Sequence, residues 1–143
     1  MSRALLVLIL FLSCKNSPPT ISLHCNEFES DVKMNWHVIA GSPYPNVTDT
    51  LLFKLQNQYR DCMIGKDSSY IINLLGRKYN LGLPGAKRIC KDTLGLRFSL
   101  EYPMKTPRFP FQNSDGYEMQ LLIDSASIVR CVVFFKINAR GVQ

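Results

Sequence analysis

The sequence lacks most of what catalysis and metal binding are built from. It has no Gly-rich phosphate loop, no His-Glu-x-x-His and no Gly-x-Ser-x-Gly. Its two histidines, His24 and His37, sit neither at metal-ligand spacing nor in a nucleophile context, and no Cys-x-x-Cys occurs. Glu27, Glu29 and Asp31 resemble a carboxylate pair, but at this spacing in an extended segment they share one solvated face. These residues give no positive argument for an enzyme, a metal or a cofactor. Long hydrophobic runs are scarce too. Ala4 to Leu12 is the longest, and it falls short of the roughly 20 apolar residues that span a bilayer. There is no internal repeat and no low-complexity tract. Apolar residues make up 46% of the chain and charged residues 20%, which excludes a disordered chain, a collagen-like repeat and a coiled coil.

What is present starts with an export signal. One positive charge at Arg3, an apolar run and then small residues at Ser13 and Cys14 read as a secretory signal peptide over residues 1–14. Residues 15–143 then form a single domain, expected to be soluble and extracellular, with no transmembrane segment. Loss of Arg3 leaves 16 basic residues against 11 acidic ones, a net charge of +5. Asn46-Val47-Thr48 is an N-glycosylation sequon, and the prolines before it suggest an exposed turn that could carry a glycan. Cys25, Cys62, Cys90 and Cys131 remain after the signal, an even number in an exported chain, which implies two disulfides. Three pairings are possible and spacing does not choose among them.

Periodicity predicts strands with one helix. Val32–Ala40 reads as a strand, and so does Thr50–Gln58, where Leu51, Phe53 and Leu55 alternate with polar residues and Leu52 is the exception. From Ser68 to Asn80 the spacing changes to three and four, with Asp67, Ser68 and Ser69 as N-cap choices and Gly82, Pro84 and Gly85 as the stop. Leu94–Tyr102 and Tyr117–Ile123 alternate cleanly. The last strand sets Val129, Cys131, Val133 and Phe135 on one face, leaving Val132 and Phe134 apolar on the outer one. Short strands between turns predict a mainly β fold, an antiparallel sandwich of immunoglobulin-like type. Basic residues gather from Arg77 to Arg97, which fits an anionic headgroup, a heparan-like glycan, an acidic partner or an ordinary solvated face. A nucleic acid is not an expected partner of an exported chain.

From Asp61 onward the order of features resembles a known family. Asp61-Cys62, an amphipathic helix, Cys90, an alternating strand, Pro107-Arg108-Phe109-Pro110-Phe111, Gly116-Tyr117-Glu118 and a strand bearing Cys131 follow one another. This is similar to the ganglioside-activator-like secreted proteins of insects, the chemosensory Che A and Che B group, within the ML lipid-recognition superfamily. The chain departs from that family between Cys25 and Cys62, where the interval is short. The resemblance implies a Cys25–Cys131 bridge, with Cys62–Cys90 as the second. It also implies two splayed antiparallel sheets around an apolar pocket. Phe53, Leu55, Leu96, Phe98, Leu100, Met119, Leu121, Val133 and Phe135 would line that pocket, and Lys87, Arg88 and Lys91 could meet an anionic headgroup. The same apolar residues would equally fill a solid core. Two functions follow as expectations. One is binding of a lipid or hydrocarbon-like small molecule in chemical sensing, with a membrane receptor as a further partner. The other is a protein interaction module whose exposed apolar patch contains Val132 and Phe134.

Overall fold

The computed structural model describes residues 24–83, 89–90, 95–107, 116–138 and 141–142. The signal segment, the three basic residues Lys87, Arg88 and Lys91, and most of the Pro107–Phe111 segment lie outside the described residues. The described residues form two antiparallel sheets and four helices. Helices α1 (Cys25–Asn35), α2 (Asp49–Asn57), α3 (Arg60–Met63) and α4 (Ser68–Leu75) fill the first half. Strands β1 (Trp36–His37) and β2 (Asn46–Val47) pair as a short ribbon. Strands β3 (Asn80–Gly82), β4 (Leu96–Met104), β5 (Gly116–Asp124), β6 (Val129–Asn138) and β7 (Gly141–Val142) form a five-stranded sheet in chain order.

The first half corrects the strand expectations. Leu51, Leu52 and Leu55 are all buried in α2, and Leu52, which broke the alternation, fits the helical stripe. Thr48 caps this helix by accepting from the Leu51 N–H at 3.2 Å, and Asp49 follows in the first turn, where negative charge favours the helix dipole. Val32 likewise belongs to α1, where Phe28 and Val32, four apart, are buried on one face. Only Trp36 and His37 of the expected strand Val32–Ala40 are extended and paired. The expected helix near 68–80 is shorter than its pattern. Asp67 caps it, and Gly76 ends it at φ 83°, a left-handed value that glycine adopts freely. Trp36 Nε1 donates to the Leu75 carbonyl at 2.8 Å and Tyr102 Oη to the Gly76 carbonyl at 3.0 Å, so side chains satisfy the end of α4.

The sheet presents one face to the helices. Leu100, Tyr102 and Met104 from β4, Met119, Leu121 and Ile123 from β5, and Val129 and Val132 from β6 share one core with Phe28, Leu55, Tyr59, Ile71 and Leu75. The opposite face carries a smaller apolar cluster of Leu122 and Val133, packed by Leu96, Cys90, Cys131 and Phe135. Two irregularities decide which side chain goes where. The β4–β5 register shifts between Leu96 and Phe98, and the β5–β6 register shifts so that Ile123 pairs with Val129 but Leu122 with Cys131. The extra residue at Arg130 reverses the parity of the strand after it. The expected face is therefore corrected. Val132 and Phe134 turn toward the helices with Val129, and Cys131, Val133 and Phe135 turn away.

Both disulfides form, in a pairing that corrects the implied one. Cys25 joins Cys62 with Cα atoms 5.3 Å apart, and Cys90 joins Cys131 at 6.2 Å. Cys25 opens α1 and meets α3 within the helical layer, whereas Cys131 sits on the sheet face turned away from that layer. A Cys25–Cys131 bridge would have to pass through the sheet. In the chain-entropy picture, loops of 37 and 41 residues make each bridge worth roughly 4 kcal/mol.

Candidate functional site

The nine residues expected to line one cavity are found in three environments. Leu55, Leu100, Met119 and Leu121 are fully buried in the core against the helices, with Phe98 at its margin. Leu96, Val133 and Phe135 belong to the opposite face. Phe53 is 59% exposed on the outer side of α2, because one helical step of two residues turns it away from both Leu51 and Leu55. Asn46 is half-buried on β2 and lines a cavity of about 250 Å³ with His37, Lys105 and Pro107.

The helical layer is tied together by one polar cluster. Lys54 Nζ and Tyr59 Oη both donate to Asp31 Oδ2 at 2.5 Å, joining α1, α2 and the residue before α3. The Lys54 ammonium, with the Tyr59 hydroxyl, holds the Asp31 carboxyl below its ordinary value. The three acidic residues near the N-terminus are thus separated. Glu29 pairs along α1 with Lys33 at 2.9 Å, and Asp31 turns inward. The β5–β6 turn is built the same way. Asp124 accepts from the Ala126 and Ile128 amides and from Arg130 Nε, and those amides and the guanidinium lower its carboxyl.

A groove of about 670 Å³ lies beside β6. Arg60, Asp61 and Ile64 of the α3 region form one wall, Ile89 and Cys90 the other, and Cys131, Val132, Val133 and Phe134 line the floor. Successive strand residues point to opposite faces. Four in a row can line one groove only if it runs along the strand's edge, with the backbone exposed to it. The pairing agrees. Strand β7 covers only Ile137 and Asn138 of β6, and the 65–66 backbone covers only Val129, through bonds of 2.8 and 2.9 Å. The stretch between has no strand partner on that side among the described residues. Ile89, 60% exposed, and Ile64 give the walls apolar surface, and the Arg60 guanidinium lies 5.8 Å from the Phe134 ring centre. The Cys90–Cys131 bridge fixes the Ile89 wall to the floor.

Val132 and Phe134 were legible in the sequence as apolar residues needing an explanation. Arg60, Ile64 and Ile89 were not, since nothing in their spacing places them beside β6. No family model, curated protein or solved structure matches the chain. Two disulfides are present, and no described helix is long and apolar enough to cross a membrane, both compatible with an exported protein.

Proposed function

We propose that this protein is a secreted interaction module that takes an extended polypeptide segment along the edge of β6 that has no strand partner among the described residues. The observation that carries the reading is the groove whose floor is four consecutive residues of an edge strand. Such an edge offers unpaired backbone donors and acceptors, and a segment added to it gains main-chain hydrogen bonds while side-chain pockets supply selectivity. The walls favour apolar side chains, and the basic chain, at net +5 without the signal segment, favours an acidic segment. Lipid binding in a splayed, ML-type sandwich draws less support, because the side chains facing Leu100 and Leu121 come from helices packed directly against them.

A library of linear peptides displayed against the secreted protein tests this. Enrichment of apolar sequences carrying acidic residues is expected, with binding lost in Phe134→Ser and weakened in Arg60→Glu. Retention of binding by Phe134→Ser would overturn the reading. So would dimerisation in light scattering, or native mass spectrometry showing a discrete lipid that organic extraction removes.

A further inference from the structure

A further concavity lies on the β3–β4 side of the sheet. Pro43, Tyr44, Arg77, Lys78, Tyr79, Asn80 and Pro103 enclose about 260 Å³. Its walls are held from three directions. The 43–44 turn is closed by Ser42, whose hydroxyl donates to the Tyr44 carbonyl at 2.8 Å and accepts from the Tyr44 amide at 3.2 Å. Arg77 and Lys78 follow Gly76, which is fixed by the Tyr102 hydroxyl, and the Tyr79 ring packs 5.5 Å from that of Tyr102. Asn80 is paired into the sheet opposite Glu101, and Pro103 is buried in β4.

The charge here is unbalanced. Among the described residues, two cations line the cavity and no carboxylate does. Neither Arg77 nor Lys78 takes part in an ion pair among the described residues, where every ion pair lies elsewhere. The nearest acidic residue on the neighbouring strand, Glu101, accepts from Ser99 and lies over Gly82, where an added Cβ would meet its carboxylate at 1.8 Å. Two cations beside an open, preformed concavity call for an anion, and the guanidinium fork suits a planar carboxylate or a sulfate. Two tyrosines and two prolines add flat apolar surface for a ring's C–H face. The volume is just below the roughly 300–1,000 Å³ of drug-sized sites, so it suits one ring of a chain that continues outside.

We propose that this cavity binds an acidic sugar residue, sulfated or uronate, at one position of an anionic glycan. It is separate from the β6 groove and does not depend on it.

The test is titration calorimetry with a heparin-derived tetrasaccharide, its desulfated counterpart and inorganic sulfate. The sulfated tetrasaccharide is expected to bind, increasingly weakly as salt rises. Arg77→Gln with Lys78→Gln should weaken it by about tenfold or more, and Tyr79→Leu by less. A control pair that does not line the cavity, Lys33→Gln with Lys66→Gln, removes the same charge and should leave affinity unchanged, and thermal melts confirm that each variant folds. Equal loss in both charge pairs would overturn the proposal in favour of general attraction to a basic protein. A loss that follows Lys87→Gln with Arg88→Gln instead would also overturn it. Inorganic sulfate binding as tightly as the tetrasaccharide would reduce the site to an oxyanion pocket and remove the sugar.

Discussion

The two halves of the molecule are built by opposite rules. Residues 24–75 are helical, short in their pairings and tied by a polar cluster at Asp31. The described strands between Asn80 and Val142 form a sheet in simple up-and-down order, with Asp124 closing one of its turns. Each half holds one disulfide of its own, and the halves are joined by the shared apolar core and by a few backbone hydrogen bonds, from Pro45 and Val47 to Lys105 and from residues 65–68 to the β5–β6 turn. The lesson is that no disulfide crosses between the halves, so cooperativity between them depends on apolar packing and a few backbone hydrogen bonds.

Breaking that packing should produce the largest effect. Leu121→Ala or Ile71→Ala, each fully buried in the shared core, should cost about 2–5 kcal/mol in denaturant unfolding. The transition should also lose coincidence between far-UV circular dichroism and tryptophan fluorescence, since Trp36 reports on the helical half.

The bridges come next and should separate the halves by function. Cys25→Ser with Cys62→Ser, and Cys90→Ser with Cys131→Ser, should each cost about 2–4 kcal/mol. Only the second pair releases the Ile89 wall, so only it should weaken peptide binding at the β6 groove beyond what stability explains. Equal binding losses would show that the wall does not matter.

Tyr59→Phe removes one of two donors to Asp31 and should cost about 1 kcal/mol, felt by the helical half. The pH dependence gives the subtlest contrast. Asp31 and Asp124 have lowered values in the fold, so their stabilisation is present above the ordinary aspartate value of 3.8 and is lost as pH falls below it. Glu118, on the sheet face turned from the helices, is raised by burial above its ordinary 4.5 despite the hydrogen bond from Gln120. Its sign is opposite, because the fold favours the protonated acid and neutral pH penalises the charge. Glu118→Gln should therefore raise the melting temperature at pH 7, and the gain should vanish below pH 4.5.

The sequence disclosed the two halves unequally. The strands of the second half were legible because half-buried antiparallel strands alternate, as β4 and β5 do. The helix after Asp67 was legible from its three-and-four spacing, although Gly76 ends it sooner than Gly82 would. Helix α2 was misread because Leu51, Phe53 and Leu55 mimic alternation over five residues. Thr48 followed by Asp49, with no glycine or proline up to Met63, was the signal that favoured a helix. The site was less legible. A single extra residue at Arg130 reverses every side chain beyond it, and no periodicity in the sequence marks a bulge. The disulfide pairing followed from which face Cys131 takes, so the same bulge obscured it.

The order of the bridges also sets how the chain comes apart. Cys25 is bound to Cys62, and Cys90 to Cys131, so the loops lie one after the other and no bond spans residues 63–89. One backbone cut in that interval divides the unreduced protein into two separate molecules, each carrying an intact bridge. Had the bridges been nested, the same cut would have left a single linked species. A gentle digest read by mass without reducing agent therefore distinguishes the two connectivities directly, and would yield the helical and sheet fragments for recombination.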